Sequence, residues 1–276
     1  MTGTADAREA DRALKAKHRT MWALGDYPAV ATRVVSALGP ALVEACAIKD
    51  GDRVLDIAAG SGNASIPAAL AGGDVVASDL TPELLAVGRR EAEARGAVLR
   101  WQEADAEALP FEDGAFDTVM SCVGVMFAPH HQAAADELVR VCRPGGTIGL
   151  LSWTPEGFIG QMFAVMKPYA PPPPPGAQPP PLWGQEEHVR ALLGDRVTDV
   201  GAHRRKLRVD TFSEPEEFRE FFKTAYGPTI TVYRNIADDP QRTAALDAAL
   251  ADLAGGALRD GAIEAEYLLL TARRSG

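Results

Sequence analysis

The stretch Val54 to Asn63 reads Val-Leu-Asp-Ile-Ala-Ala-Gly-Ser-Gly-Asn and decides the fold. Its apolar start predicts a short buried strand, in which Asp56 places a carboxylate where an apolar residue would be expected. Gly60 and Gly62 then allow a sharp turn with free backbone N–H groups, because glycine has no Cβ to obstruct positive φ or a close ligand. A helix is predicted from Ala64 to Leu70. Strand, turn and helix together predict a nucleotide-type site at the carboxyl end of a parallel strand, although an ordinary α/β turn also fits this stretch alone.

A second acid ends the next predicted strand, which runs from Asp74 to Asp79. Thr81 is predicted to cap the following helix, with Pro82 at its first position. Asp79 is therefore expected at a strand tip, where a carboxylate can accept hydrogen bonds from both hydroxyls of a ribose. A solvated acid in a turn is the alternative for this residue.

Further strands and helices alternate along the chain. Strands are predicted from residue 98 and at 115–122, 147–153, 197–212 and 263–272, and helices at 5–22, 29–47, 82–95, 131–142, 186–193, 213–226 and from 239 to just before Gly255. Ser213 and Glu216 are predicted to form the capping box of the helix at 213–226. Five strands alternating with helices imply an α/β fold with a parallel sheet and right-handed crossovers.

The composition excludes several classes of partner. The chain has 276 residues with 28 Lys+Arg against 38 Asp+Glu, a formal charge of −10, so neither nucleic acid nor an anionic membrane is the expected partner. The three cysteines lack metal-ligand spacing, which predicts no metal site and a reducing, cytoplasmic location. Residues 1–17 have no apolar core of a signal peptide, and no apolar run is long enough to span a bilayer. The sequence leaves the oligomeric state open.

An ordered set of five motifs indicates a family. The motifs are Val54–Gly62, Asp79, Asp105-Ala106 ahead of Leu109-Pro110-Phe111, Phe116–Val119, and Arg143-Pro144-Gly145-Gly146. With these residues the chain resembles the class I S-adenosylmethionine-dependent methyltransferases, and most of all the branch of ubiquinone and menaquinone biosynthesis methyltransferases. The resemblance is strong over Arg53–Trp153 and loose in the flanks.

The resemblance implies an architecture. It is a Rossmann-like, seven-stranded, mostly parallel sheet with helices on both faces, in which the last strand is antiparallel and lies near the fifth. The expected parts of this single structural domain are an N-terminal helical cover at 1–50, a cofactor-binding core at 51–153, a Pro-rich insertion or lid at 154–196, and a C-terminal part at 197–276 that completes the sheet.

The resemblance also implies S-adenosyl-L-methionine as cofactor and assigns roles to matching residues. Asp56 would reach the methionine amino group through water. Asp79 would take the ribose hydroxyls, with Leu80 against the adenine face. Asp105 would accept from the adenine amino group, while the Ala106 N–H bonds a ring nitrogen. The remaining implied contacts are Ala58, Gly60, Ser61 and Gly62 along the amino-acid and ribose portion, and Cys122 and Val123 beside the sulfonium. Ala58 stands where the family usually has glycine, so its φ is expected to stay negative.

The substrate side is predicted from apolar residues and one histidine. The expected pocket residues are Tyr27, Met126, Phe158, Met162 and Trp183. The proline-rich arm is expected to hold the preceding helix over this pocket; a small satellite core under a loop is the alternative. His131 is the favoured general base, because it begins a helix after the fourth strand, and a plain surface histidine is its alternative. Tyr27 and Tyr226 are weaker candidates, and an acceptor that is already ionised needs no base.

The predicted function is methyl transfer to a small, apolar or aromatic acceptor by in-line displacement. Two alternatives stay open: a non-catalytic S-adenosylmethionine-binding interaction module, and an NAD(P)-dependent oxidoreductase. The oxidoreductase motif G-x-G-x-x-G would need a third glycine where Ser65 stands. A macromolecular methyltransferase is disfavoured by the acidic charge and by the lack of an Asp/Asn-Pro-Pro-aromatic motif.

Overall fold

The computed structural model describes residues 2–276, with side chains from Glu9 onward. Seven strands form one sheet: β1 (Arg53–Ile57), β2 (Asp74–Asp79), β3 (Arg100–Glu103), β4 (Phe116–Cys122), β5 (Cys142–Trp153), β6 (Val197–Val209) and β7 (Ile263–Arg274). Their spatial order is β3-β2-β1-β4-β5-β7-β6. The pairs among the first five are parallel, whereas β7 runs antiparallel to both β5 and β6. The predicted fold class is therefore confirmed, including the antiparallel last strand beside the fifth.

Eleven helices are seen within residues 2–276. They are α1 (Thr2–Trp22), α2 (Tyr27–Arg33), α3 (Leu38–Cys46), α4 (Ser65–Leu70), α5 (Pro82–Ala94), α6 (His131–Val141), α7 (Phe158–Met166), α8 (Glu186–Leu193), α9 (Pro215–Ala225), α10 (Gly227–Asn235) and α11 (Pro240–Ala257). No single described helix is long and apolar enough to cross a membrane; the pair α2 and α3, bent by 70°, meets the length and composition test only when taken together.

The core forms around β1, an interior strand of the sheet between β2 and β4. Leu55 pairs with Val76 of β2 on one side and Val119 of β4 on the other, and these three side chains are at most 4% exposed. Parallel strands covered by helices on both faces are apolar throughout, and each buried side chain of this size contributes about 1.5–3 kcal/mol. Because β3, β2, β1 and β4 are parallel neighbours, their carboxyl ends, and the acids that follow them, lie along one edge of the sheet.

Several predicted boundaries were wrong. The helix expected at 29–47 is divided into α2 and α3, because Val34 and Val35 turn inward to the core between them. Helix α10 was not predicted, and α11 continues through Gly255-Gly256, where an end was expected. The expected capping box does not form: α9 has Glu214 at its N-cap, without a side-chain cap hydrogen bond. Instead, the Glu217 carboxylate accepts from both the N–H and the hydroxyl of Ser213.

The proline-rich arm lies over the loop that follows β4. Residues 170–179 form neither helix nor strand, as predicted, and end in a 3₁₀ turn at Pro180–Gly184. The backbone N–H of Gln178 donates to the Pro129 carbonyl at 3.0 Å. The arm is thus fixed to the segment that joins β4 to α6.

Candidate cofactor and acceptor site

Two non-glycine residues hold left-handed backbone at the tips of β1 and β4. Ala58 has φ +53° and Val123 has φ +46°, so the expectation of negative φ at Ala58 was wrong. The tips are in backbone contact, since a Cβ on Gly124 would lie 2.2 Å from the Ala58 carbonyl oxygen. A left-handed L-residue costs about 1–2 kcal/mol, and such strain concentrates at functional sites. The surrounding sheet therefore imposes this conformation on both residues.

Asp79 ties the glycine turn to the tip of β2. Its Oδ2 accepts from the Gly60 N–H and its Oδ1 from the Thr81 N–H, both at 2.8 Å, and the residue is 8% exposed. Thr81 is the N-cap of α5, as predicted, but its hydroxyl makes no cap hydrogen bond; Asp79 accepts from the N–H of Thr81 itself. Burial raises the pKa of Asp79, and the two backbone donors oppose that rise.

Asp56 is fully buried beneath the turn. The Ser65 hydroxyl donates to its Oδ2 at 2.5 Å, while its Oδ1 has no partner among the described residues. Burial raises the pKa of Asp56 to about 7, an effect that the Ser65 hydrogen bond opposes and the nearby Asp79 charge reinforces. Asp56 does not line the cleft described below, so its contact with a methionine amino group stays a prediction.

Asp105 contacts helix α1 at the edge of the cleft. Its Oδ1 accepts from the Glu107 N–H at 2.9 Å, and its Oδ2 lies 2.6 Å from the Lys15 ammonium, which also contacts Glu107 at 2.7 Å. Although burial raises the pKa of Glu107, hydrogen bonds from Lys15 and His130 hold it below its ordinary value. Burial lowers the pKa of Lys15, but its carboxylate partners outweigh this and raise it. This ion-pair cluster docks α1 against the loop after β3.

An open cleft lies between α1 and the carboxyl edge of the sheet. Eight predicted site residues line it: Tyr27, Ala58, Gly60, Asp79, Leu80, Asp105, Ala106 and Val123. Four predicted cofactor-contact residues do not line it: Asp56, Ser61, Gly62 and Cys122. Ser61 and Gly62 lie on the side of the turn that faces helix α5 and β3. Ser61 has its carbonyl against Gly88, Gly62 packs on Trp101, and Cys122 contacts Asn63.

A small apolar chamber adjoins the cleft, and four residues border both spaces: Trp22, Tyr27, Val123 and Phe127. Of the predicted pocket residues, Tyr27 and Met162 line this chamber. Met126, Phe158 and Trp183 were predicted to line it and do not. Met126 is fully buried in the core, Phe158 packs on Phe218 with ring centroids 5.0 Å apart, and Trp183 packs on His131.

The expectation that His131 lies near the reacting group was wrong. Its side chain is fully buried on the face of α6 that meets α8, where its Nδ1 lies 2.9 Å from the His188 Nε2. Burial, with His188 nearby, lowers the pKa of His131 to about 4. His131 lines neither the cleft nor the chamber, so its position gives it no access to an acceptor there.

Comparison with known proteins identifies the family. A family model described as a methyltransferase domain matches residues 54–146. The uncharacterized protein Rv1405c of Mycobacterium tuberculosis is 54% identical over 274 residues, 99% of this chain and 100% of that protein. The demethylmenaquinone methyltransferase of Thermus thermophilus is 42% identical over 117 residues, 41% of this chain and 53% of that enzyme. The structure of YcgJ from Bacillus subtilis has a TM-score of 0.59 at 16% identity, covering 86% of this chain and 98% of that one.

The matched segment contains β1, the glycine turn and the acids after β2 and β3. The chain is a class I S-adenosylmethionine-dependent methyltransferase. Its cofactor is S-adenosyl-L-methionine, as the sequence predicted. The oxidoreductase alternative does not fit a member of this family.

The residues of the methyltransferase fit this cofactor. Asp79 presents a buried carboxylate to the cleft, as a ribose diol requires. Asp56 retains a buried oxygen without a partner among the described residues. The Tyr27 ring lies over the glycine turn, and a Cβ on Gly60 would come within 3.1 Å of it, so a larger residue would fill the space above the turn.

The sequence predicted a helical cover in which Trp22 could close over a ligand, but it did not predict that Lys15 and His18 of α1 line the cleft. Lys15, His18 and Trp22 of the methyltransferase all line the cleft. They are three and four residues apart, the spacing that places side chains on one helix face. This spacing was visible in the sequence, but it does not show against which part of the protein that helix face packs.

Proposed function

We propose that the methyltransferase transfers a methyl group to a small, apolar or aromatic acceptor by in-line displacement. The observation that supports this is the chamber, whose twelve lining residues are all aliphatic, aromatic or methionine and which opens beside the cleft. Apolar walls with few polar groups are typical of pockets for small organic ligands. A cytoplasmic location and the absence of a nucleic-acid partner stay predictions.

In this proposal the three strand-tip acids hold the cofactor as the sequence predicted. Asp79 binds the ribose hydroxyls, Asp105 and the Ala106 N–H bind the adenine, and Asp56 accepts from the amino group. Leu80 lines the cleft next to Asp79 and packs on the adenine face. When bound, S-adenosyl-L-methionine supplies an electrophilic methyl group on a sulfonium sulfur.

The chain's own part in the reaction is alignment and exclusion of water. Trp22 packs edge-on against Phe127, with ring centroids 4.7 Å apart, and against Tyr27 at 5.8 Å. These rings form the border between cleft and chamber, so they hold the acceptor next to the cofactor. Holding two reactants in near-attack geometry supplies a large part of the rate enhancement of such displacements.

No imidazole or carboxylate of the described residues lines the chamber. Burial raises the pKa of Tyr27 and Tyr226, so both phenols are poor bases near neutral pH. The nucleophilic atom of the acceptor therefore attacks the methyl group without first losing a proton to a side chain of the chamber.

The cofactor part is tested by calorimetry, which should show binding of S-adenosylhomocysteine and none of NAD(H). The acceptor part is tested with labelled cofactor and a panel of phenol, quinone and amine acceptors. Transfer to an apolar aromatic acceptor is expected. Failure across the panel, although the cofactor binds, would contradict the acceptor class and favour the interaction module.

A further inference from the structure

The acceptor chamber offers hydrogen-bond donors and no charged group. Its only polar side-chain groups among the described residues are the hydroxyls of Tyr27 and Tyr226 and the indole N–H groups of Trp22 and Trp153. An indole N–H only donates, and a neutral phenol can donate. A charged acceptor would be desolvated here without a counter-charge, which is costly. The chamber therefore selects uncharged ligands that accept hydrogen bonds.

Tyr226 is the most enclosed of these hydroxyl-bearing residues. It is 6% exposed, and its hydroxyl makes no hydrogen bond within the part of the chain that the structure describes. Tyr226 lines the chamber, and its hydroxyl is absent from the described polar atoms that packing seals off completely. A buried hydroxyl without a partner costs about 1–3 kcal/mol, and a bound molecule would remove that cost.

The ring of Tyr226 is held in place by its neighbours. It lies at the junction of α9 and α10, with its centroid 5.5 Å from Phe222 and 5.8 Å from Trp22. Its N–H donates to the Phe222 carbonyl, and Gly25 forms a β-bridge with it. A rigid ring presents its hydroxyl at a fixed point, as an orienting group requires.

We propose that Tyr226 is the residue that orients the acceptor, by donating a hydrogen bond to a carbonyl or phenolic oxygen of an otherwise apolar ring compound. This rests on the proposed function and names its substrate class more closely. An oxygen held at Tyr226 places the rest of the ring against the aliphatic wall formed by Val30, Val34, Ile159 and Met162. Aliphatic amines and carboxylates are excluded, because no opposite charge lines the chamber.

The test uses the intact chain saturated with S-adenosylhomocysteine and two bicyclic probes, the ketone 1-tetralone and the matching hydrocarbon tetralin. Their dissociation constants are measured by ligand-observed NMR for the wild type, Tyr226→Phe and Tyr233→Phe. Tyr233 is the matched control, because its hydroxyl donates to Asp247 at 2.6 Å outside the chamber. The wild type and Tyr233→Phe should bind the ketone about tenfold more tightly than the hydrocarbon, and Tyr226→Phe should bind the two equally.

Equal binding of both probes by the wild type, absence of ketone binding, or a preference that survives in Tyr226→Phe would overturn the assignment. Binding of S-adenosylhomocysteine is measured first, in the same samples. A failed ketone preference with normal cofactor-product binding contradicts the role of Tyr226 alone, whereas absence of that binding contradicts the proposed function itself.

Discussion

The Lys15 ammonium lies 2.6 Å from Asp105 Oδ2 and joins the N-terminal helix to the loop after β3. Asp105 is the carboxylate proposed to accept from the adenine amino group. An ionised carboxylate has about four lone-pair directions, so Asp105 can keep Lys15 and still accept a further donor. The ion pair thus connects the position of α1 to the cofactor cleft.

Removing that ammonium should loosen α1. In Lys15→Met the chain length is kept, but Asp105 and Glu107 lose their shared partner, and Lys15 is only 13% exposed. The free energy of unfolding should fall by about 1.5–3 kcal/mol, the usual contribution of a hydrogen bond to a charged group. Amide hydrogen exchange in α1 should accelerate. Lys17→Met, on the exposed side of the same helix, is the control and should change stability by less than about 0.5 kcal/mol. Equal effects of the two variants would show that the pair does not dock α1.

Asp79→Asn should weaken binding of S-adenosylhomocysteine by about 1–3 kcal/mol, because an amide replaces a carboxylate at the proposed ribose contact. It also replaces one of the two oxygens that accept from Gly60 and Thr81. Asp74→Asn is the matched control, since Asp74 stands at the other end of β2 in an exposed pair with Arg100. Calorimetry on both variants decides; unchanged affinity in Asp79→Asn would remove this residue from the site.

Ala58→Gly should stabilise the fold by about 0.5–1 kcal/mol. Glycine relieves the left-handed strain at φ +53°, which outweighs the added freedom of the unfolded chain. The next residue, Ala59, has no positive φ, so Ala59→Gly should instead destabilise by a similar amount. Urea unfolding midpoints of the two variants should move in opposite directions. A loss of stability in both would show that Ala58 is not strained.

Because of Asp56, the free energy of unfolding should fall as the pH rises from about 4 to about 7. Its folded pKa is raised from 3.8 to about 7, so the native state keeps a proton that the unfolded chain releases in this window. Asp56→Asn removes that proton release. Relative to the wild type, the variant should therefore gain stability between pH 4 and pH 7 and stay level above it. Urea unfolding at several pH values measures the difference; a constant difference would contradict the raised pKa.

The sequence predicted the sheet and its acids because both depend on local pattern. The apolar run that contains Asp56 and the run that ends at Asp79 define strand tips, and parallel pairing brings those tips to one edge. Helix α10 depends on tertiary contact instead. Gly227, its first residue, lies against α1, where a Cβ would come within 2.2 Å of the Met21 carbonyl oxygen. Pro228 at the start of α10 was a usable signal.

Only the site residues at the carboxyl ends of the strands could be predicted from the sequence. The ion pairs of Lys15 with Asp105 and Glu107 join segments about ninety residues apart, and no local pattern specifies such a contact. The prediction of His131 as the general base was wrong for a related reason. Its place at a helix start was right, but the start of a helix does not tell which face its side chain takes, and α8 with Trp183 buries it.

A crystal structure with S-adenosylhomocysteine bound would test the central claim most directly. It should show the ribose on Asp79, the adenine between Leu80 and Asp105, and the sulfur facing the chamber between Tyr27 and Val123. A product molecule bound outside this cleft, or one whose sulfur points away from the chamber, would contradict the account.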